Sequence, residues 1–154
     1  MWRGGNRKGG VKMAVFKDAD QVYELIGGLF ERLRGNKEIA EKFASSGLVI
    51  RFVYSDPDCE IWLDASTKDP NDVKIVKGPA EGITAEVEMS MKAEVAHQFW
   101  LGNLNLMVAL TRKQIVAKGP IRKIMQLLPV LKPAYEIYRN MLHERGLDEL
   151  ISSK

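Results

Sequence analysis

The longest predominantly apolar stretch of the chain runs from Phe99 to Leu131, FWLGNLNLMVALTRKQIVAKGPIRKIMQLLPVL, and the remaining pattern arranges itself around it. Upstream, Asp18 or Asp20 caps a helix reaching Arg34, in which Val22, Leu25, Ile26, Leu29, Phe30 and Leu33 recur at the i, i+3, i+4, i+7 spacing of one buried face. Gly35-Asn36 ends it, and a second short helix over 37–45 turns Ile39, Ala40 and Phe43 inward before Gly47. Gly27-Gly28 interrupts the first helix, where two glycines cost about 1 kcal/mol each relative to alanine. A close neighbour, a ligand or a tolerated weak spot would each account for the pair.

From Leu48 the period changes from 3.6 to 2. Leu48, Ile50, Phe52 and Tyr54 share one side of a strand, DPD at 56–58 turns the chain, and Cys59, Ile61, Leu63 and Ala65 share one side of the next. Trp62 falls between Glu60 and Asp64 on the polar side, which predicts local cover for that face. VKIVKG supplies a third strand and ITAEVEMS a fourth, so the spacing predicts an antiparallel meander with one wet face.

Ser90 is the expected cap of a helix over 91–101, whose inner side is Val95, Ala96, Phe99 and Trp100 and whose stop is Gly102. Residues 104–110 form a short apolar helix or turn, 114–118 a fifth strand, and Gly119-Pro120 opens a helix with Ile121, Ile124, Met125, Leu128 and Leu131 on one face. Pro129 kinks or ends that helix. Pro133 opens the last one, over 134–145, with Tyr135, Tyr138, Met141 and Leu142 inward. Gly146 terminates it. The pattern gives one α+β domain over 13–146, preceded by a disordered basic arm at 1–12 and followed by a tail at 147–154. A chain of 154 residues suffices for one core.

Charge changes the picture only through its distribution. Residues 13–111 hold 10 basic and 16 acidic side chains, a balance of −6, whereas 112–145 hold 8 basic and 2 acidic, a balance of +6. Such polarity either orients the molecule toward an anionic surface or cancels between halves that meet in space. No apolar run approaches the roughly 20 residues of a membrane span, and no secretory leader is expected. The single cysteine, Cys59, suits a reducing compartment, so the cytoplasm is the expected location. The first twelve residues, with four basic side chains and one Trp, form no nucleic-acid module, and nucleic acid is not an expected partner.

The sequence offers no catalytic constellation. His97 and His143 lie on separate helices with no metal-ligand spacing to each other or to Cys59, and each is expected at a helix surface. Asp56 and Asp58 flank Pro57 in a turn that wants aspartate for its own reasons. No phosphate loop or nucleophile elbow occurs. An enzyme is not expected, and no cofactor is called for.

The order found here, two helices, four strands, a helix ending in Gly102, a fifth strand leading to Lys118-Gly119-Pro120, then amphipathic helices, resembles the sterol carrier protein type two domain. The resemblance spans about 16–145, and its most telling piece is FWLGNLNLMVALTRKQIVAKGPIRKIMQLLP, 99–129. It departs from eukaryotic members in having Lys118-Gly119-Pro120 where glycine-aspartate is common, and in ending Ser152-Ser153-Lys154 without a peroxisomal signal; both favour a prokaryotic relative. The resemblance implies a five-stranded, mostly antiparallel sheet with helices over one face, enclosing a hydrophobic tunnel for a sterol, fatty acid, acyl-CoA or phospholipid.

Within that frame the expected lining is Phe52, Trp100, Leu106, Met107, Leu110, Ile124, Met125, Leu128, Leu131, Tyr135 and Tyr138, with Tyr135 or Tyr138 bonding a head group at the mouth. Met89, Met91, Met107, Met125 and Met141 fall on inner positions, where flexible thioethers either adapt to varied ligands or fill core gaps. The segment between Pro129 and Pro133 is the expected lid, with Arg122, Lys123 and Lys132 meeting anionic membrane. Expected partners are thus a lipid, a transient anionic membrane surface and a second copy of the chain. Two other readings stay open here: an interaction domain with a collapsed tunnel, and an enzyme acting on a bound lipid.

Overall fold

The computed structural model describes residues 15–151. The expected arm at 1–12 and the last residues of the expected tail lie outside them. The first helix is capped by Asp18, whose carboxylate accepts from the Gln21 amide. It runs through α1 (Ala19–Val22), a π-helical turn (Tyr23–Gly27) and α2 (Gly28–Arg34) without leaving helical backbone angles. All six residues of its expected apolar face are buried. The two glycines admit side chains from other elements: a Cβ at Gly27 would lie 2.8 Å from Lys77 Cε, and one at Gly28 would lie 3.7 Å from Met141 Sδ. Asn36 caps α3 (Lys37–Ser46), which Gly47 ends in the left-handed conformation.

Five strands follow: β1 (Val49–Ser55), β2 (Cys59–Asp64), β3 (Lys74–Lys77), β4 (Val87–Lys92) and β5 (Ile115–Lys118). The first three form the expected meander, but β4 does not extend it. The spatial order is 3-2-1-4-5, with β4 parallel to β1 and antiparallel to β5. Alternating burial in Val87–Lys92 marks a half-buried strand but cannot name its neighbours, because pairing is set by where the chain travels between strands. Here residues 78–86 cross the face opposite the helices, so Ile83, Thr84 and Ala85 share a groove with Arg51 and Trp62. That crossing supplies the cover predicted over Trp62, which is buried, donates from Nε1 to Glu60 at 2.6 Å and lies 5.6 Å from the Arg51 guanidinium.

Ser90 is paired on both sides within β4, opposite Val53 and Val116, and therefore cannot cap a helix. The strand runs on to Lys92, and α4 (Ala93–Trp100) begins directly after it. The buried stripe of α4 is Ala93, Ala96, His97 and Trp100, while Val95 and Phe99 are half-buried. Asn105 caps α5 (Leu106–Thr111), and β5 then leads through Gly119 to α6 (Ile121–Leu127). Gly119 has φ +107°, and a Cβ there would lie 2.2 Å from the carbonyl oxygen of Glu86. Only glycine fits that crossing of two backbones. Pro129 sits in a 3-10 turn (Leu128–Leu131) between α6 and α7 (Lys132–Glu144), as the proline spacing predicts.

The packed structure does not stop at Gly146. Leu147, Leu150 and Ile151 pack against the main core, the last two on α8 (Asp148–Ile151), so the segment expected as a tail is fastened through residue 151. No described helix is long and apolar enough to cross a membrane.

Candidate functional site

Two clusters of buried residues lie between the sheet and the helices. One is centred on the first helix, α4 and α7; the other joins the inner faces of β1, β4 and β5 to α5 and α6. They do not close fully upon one another. Between them is a cavity of about 120 Å³.

Its floor is sheet: Ile50, Phe52 and Tyr54 of β1, Leu63 of β2, Ile75 of β3, Met89 and Met91 of β4, and Ile115 of β5. These positions alternate along each strand, so the pleat points them all to one side. Helix residues close the sides, among them Phe30 and Leu33 from the first helix, Ile39, Ala40 and Phe43 from α3, and Ala96, Phe99 and Trp100 from α4. Aromatic rings order that wall. Phe30 stacks on Phe52 at 5.4 Å between centroids and meets Trp100 edge-on at 5.7 Å. The roof is Leu106 with Ile124, Leu127, Leu128, Val130 and Leu131. Of the roof residues from 121 to 131, Ile124 alone is buried, and its apolar neighbours Leu127, Leu128, Val130 and Leu131 are half-exposed.

Among the described residues, Arg34 is the one charged side chain in the lining. It is exposed, marking a place where the cavity comes near the surface, and its guanidinium donates to the carbonyl of Val73 at 3.2 Å.

Six of the eleven expected lining residues face this cavity: Phe52, Trp100, Leu106, Ile124, Leu128 and Leu131. Five do not. Met107 is 52% exposed, because the Asn105 cap sets α5 with Leu106 and Ala109 inward and Met107 outward. Leu110 and Met125 are half-buried and fill space beside the second cluster. Tyr135 packs over Gly102, where a Cβ would lie 3.4 Å from its ring, and meets Phe99 edge-on at 6.3 Å.

Tyr138 is fully buried in the first cluster, and its hydroxyl is 2.8 Å from His97 Nδ1. The partner expected from a head group is thus a histidine. Of the five methionines read as inward, Met89 and Met91 line the cavity and Met141 is buried in the first cluster beside Gly28.

His97 is the residue that sequence reasoning misplaced most. It is fully buried, with Nε2 2.8 Å from the carbonyl of Leu150. A carbonyl only accepts, so Nε2 carries the proton and Nδ1 accepts from Tyr138. Burial pushes the imidazole below its usual range, with the contact to Leu150 and the charge of Glu94 opposing. His97 therefore joins α4, α7 and the C-terminal segment as a neutral group. The signal was present in the Ala93, Ala96, Trp100 stripe, whose helical period includes position 97. His143 is exposed as expected and pairs with Asp148 at 2.6 Å. Of the cations expected at a membrane, Arg122 and Lys132 are exposed, whereas Lys123 is paired with Glu86 at 2.8 Å.

No known protein-family model matches the sequence, and no curated protein sequence matches it. Solved structures do match the fold. The sterol carrier protein domain 2 of Helicoverpa armigera superposes with a TM-score of 0.59 at 17% identity, over 75% of this chain and 88% of that one. Sterol Carrier Protein 2 from Yarrowia lipolytica, in its apo form, superposes with a TM-score of 0.54 at 16% identity, over 92% of this chain and all of that one. The stereoselective inverting sec-alkylsulfatase Pisa1 from Pseudomonas sp. gives a TM-score of 0.48 at 16% identity over 57% of this chain. This chain spans only 13% of that enzyme's length, and the likeness bears no weight for activity. At these identities the likeness is one of architecture: the chain has the sterol carrier protein two fold.

Proposed function

We propose that this chain, built on the sterol carrier protein two fold, binds an apolar lipid in the cavity between sheet and helices without chemically altering it. The observation that carries the reading is the cavity itself, walled by hydrocarbon and aromatic surface with one guanidinium at its edge. Burying a methylene gains about 0.8 kcal/mol, so a sixteen-carbon chain gains on the order of 10 kcal/mol before ordering costs, with little polar recognition. Affinity of this kind does not depend strongly on which chain enters. Candidates are therefore a sterol, a fatty acid, an acyl-CoA or a phospholipid.

A volume of 120 Å³ is smaller than the roughly 300–1,000 Å³ of pockets that enclose drug-sized ligands. Entry of a long chain therefore displaces the roof, 121–131, whose half-exposed side chains give up least on moving. Transfer between membranes, with the exposed Arg122 and Lys132 meeting anionic lipid, is the role this roof suits.

Organic extraction of the purified protein followed by mass spectrometry tests the proposal, together with displacement of a fluorescent fatty acid. Co-purifying lipid and saturable one-to-one displacement are expected. An empty extract with no displacement would select the accessory domain with a collapsed tunnel.

A further inference from the structure

One residue that lines this cavity carries a hydroxyl left without a partner. Tyr54 is 3% exposed, belongs to the cavity floor, and has its Oη buried with no hydrogen-bond partner among the described residues. A buried polar group without a partner is destabilising, and a phenylalanine at that position would keep the packing without the hydroxyl. The same chain shows the ordinary arrangement at Tyr138, equally buried and bonded to His97.

Nor is Tyr54 loosely held. It sits on β1 between Cys59 of β2 and Met91 of β4, with its ring stacked on Phe52 at 6.2 Å and 6° between planes. Backbone pairing on both sides and a stacked ring fix where Oη lies. The thiol of Cys59 is directed to the carbonyl of Pro57 at 3.5 Å and does not serve the phenol.

We infer that Tyr54 Oη is an internal polar contact for the cavity's ligand, donating a hydrogen bond to a neutral hydroxyl or carbonyl oxygen carried on an otherwise apolar molecule. This rests on the cavity being a lipid site and adds a chemical requirement to it. The oxygen is neutral because the ionisable groups that act on the phenol, Cys59 and Tyr138, are not cationic, so a carboxylate there would be desolvated without a counter-charge. Burial also holds the phenol well above its usual range, so it remains a donor across the physiological range. A hydrocarbon chain alone leaves Oη unmet, whereas a fatty alcohol or an ester carbonyl at the right depth meets it.

The test pairs two ligands with two proteins. Decan-1-ol and 1-chlorodecane have chains of equal length, and the second cannot accept comparably; both are titrated into the full chain and its Tyr54→Phe variant by calorimetry. Wild type is expected to bind the alcohol about threefold to tenfold more tightly than the variant does, the range of a net hydrogen bond. The chloride should bind both proteins alike. The ¹³Cζ resonance of labelled Tyr54 should move with the alcohol and stay in place with the chloride. Without ligand, Tyr54→Phe should unfold at the same temperature as wild type or higher, since it removes an unmet hydroxyl.

Equal alcohol affinity in the two proteins, or a variant that unfolds at lower temperature, would overturn the assignment while leaving the cavity as the lipid site. If neither ligand binds wild type, the assignment and the lipid reading fall together.

Discussion

Replacing Ala96 by leucine should strengthen the fold and remove its binding capacity together. Ala96 is buried on α4 and forms part of the cavity wall, so added atoms enter open space. Three added carbons, at about 0.8 kcal/mol each, set a transfer gain of roughly 2.4 kcal/mol. An independent bound comes from the void: 120 Å³ at about 24 cal/mol per Å³ is roughly 2.9 kcal/mol of missing packing. Imperfect fit returns about 1 kcal/mol or more, leaving a net gain of about 1–2 kcal/mol. For a domain of this size that is a rise in midpoint of about 2–8 °C. Thermal unfolding reads the first effect, and displacement of a fluorescent fatty acid from the same samples reads the second. A variant that binds like wild type would show that the lipid does not occupy this space, and one that loses more than about 2 kcal/mol would show that the wall at Ala96 has no room to fill.

Three further outcomes rest on the same packing. Gly119→Ala should cost about 3–5 kcal/mol in denaturant unfolding, combining a positive φ with a clash against Glu86, and Gly82→Ala, which meets nothing within 4 Å, should cost less. His97 should make stability fall with acid. Its folded-state pKa lies below the unfolded value of about 6.5, so the unfolded chain takes up protons more readily and stability is lost as pH drops below that value. His143 works in the opposite sense, its pKa raised by the hydrogen bond and charge of Asp148, but it is exposed and contributes little. His97→Phe should cost about 1–3 kcal/mol at pH 8 and flatten the acid slope in chemical denaturation, while His143→Gln should keep that slope. Finally, Arg122→Glu with Lys132→Glu should slow lipid transfer to vesicles containing phosphatidylglycerol and leave transfer to neutral vesicles unchanged. Lys123 is spared because its reversal would set two carboxylates together at Glu86.

What the sequence makes legible depends on how much of each element's environment is written in its own period. The first helix has one broad apolar stripe and one polar face, so all six inner positions could be read directly. In α5 the run LMVAL has no polar face, and nothing within the run distinguishes Leu106, which lines the cavity, from Met107, which faces water. The Asn105 cap breaks that tie, because it fixes the first turn.

Pairing of β4 with β1 was illegible for another reason: a period of 2 reports which face is buried and says nothing of which strand lies alongside. A buried phenol needs a partner, which is why the sequence points Tyr135 or Tyr138 at a ligand head group, but the partner of Tyr138 is a histidine 41 positions away whose type suggests a surface residue. Tyr54 was read as an inward strand residue, which it is, but an unmet hydroxyl becomes visible only when every neighbour has been placed.

The meeting of Gly119 with Glu86 ties the roof of the cavity down at one end. Glu86 presses its carbonyl against Gly119 and holds Lys123 by an ion pair, so the start of α6 is tied to the chain that enters β4. At the other end, the turn from Leu128 to Leu131 rests on half-exposed side chains. A door hung in this way would swing from one jamb: on the lipid-binding proposal, cargo would pass at the Leu128–Leu131 end, with the hinge side keeping its register with the sheet.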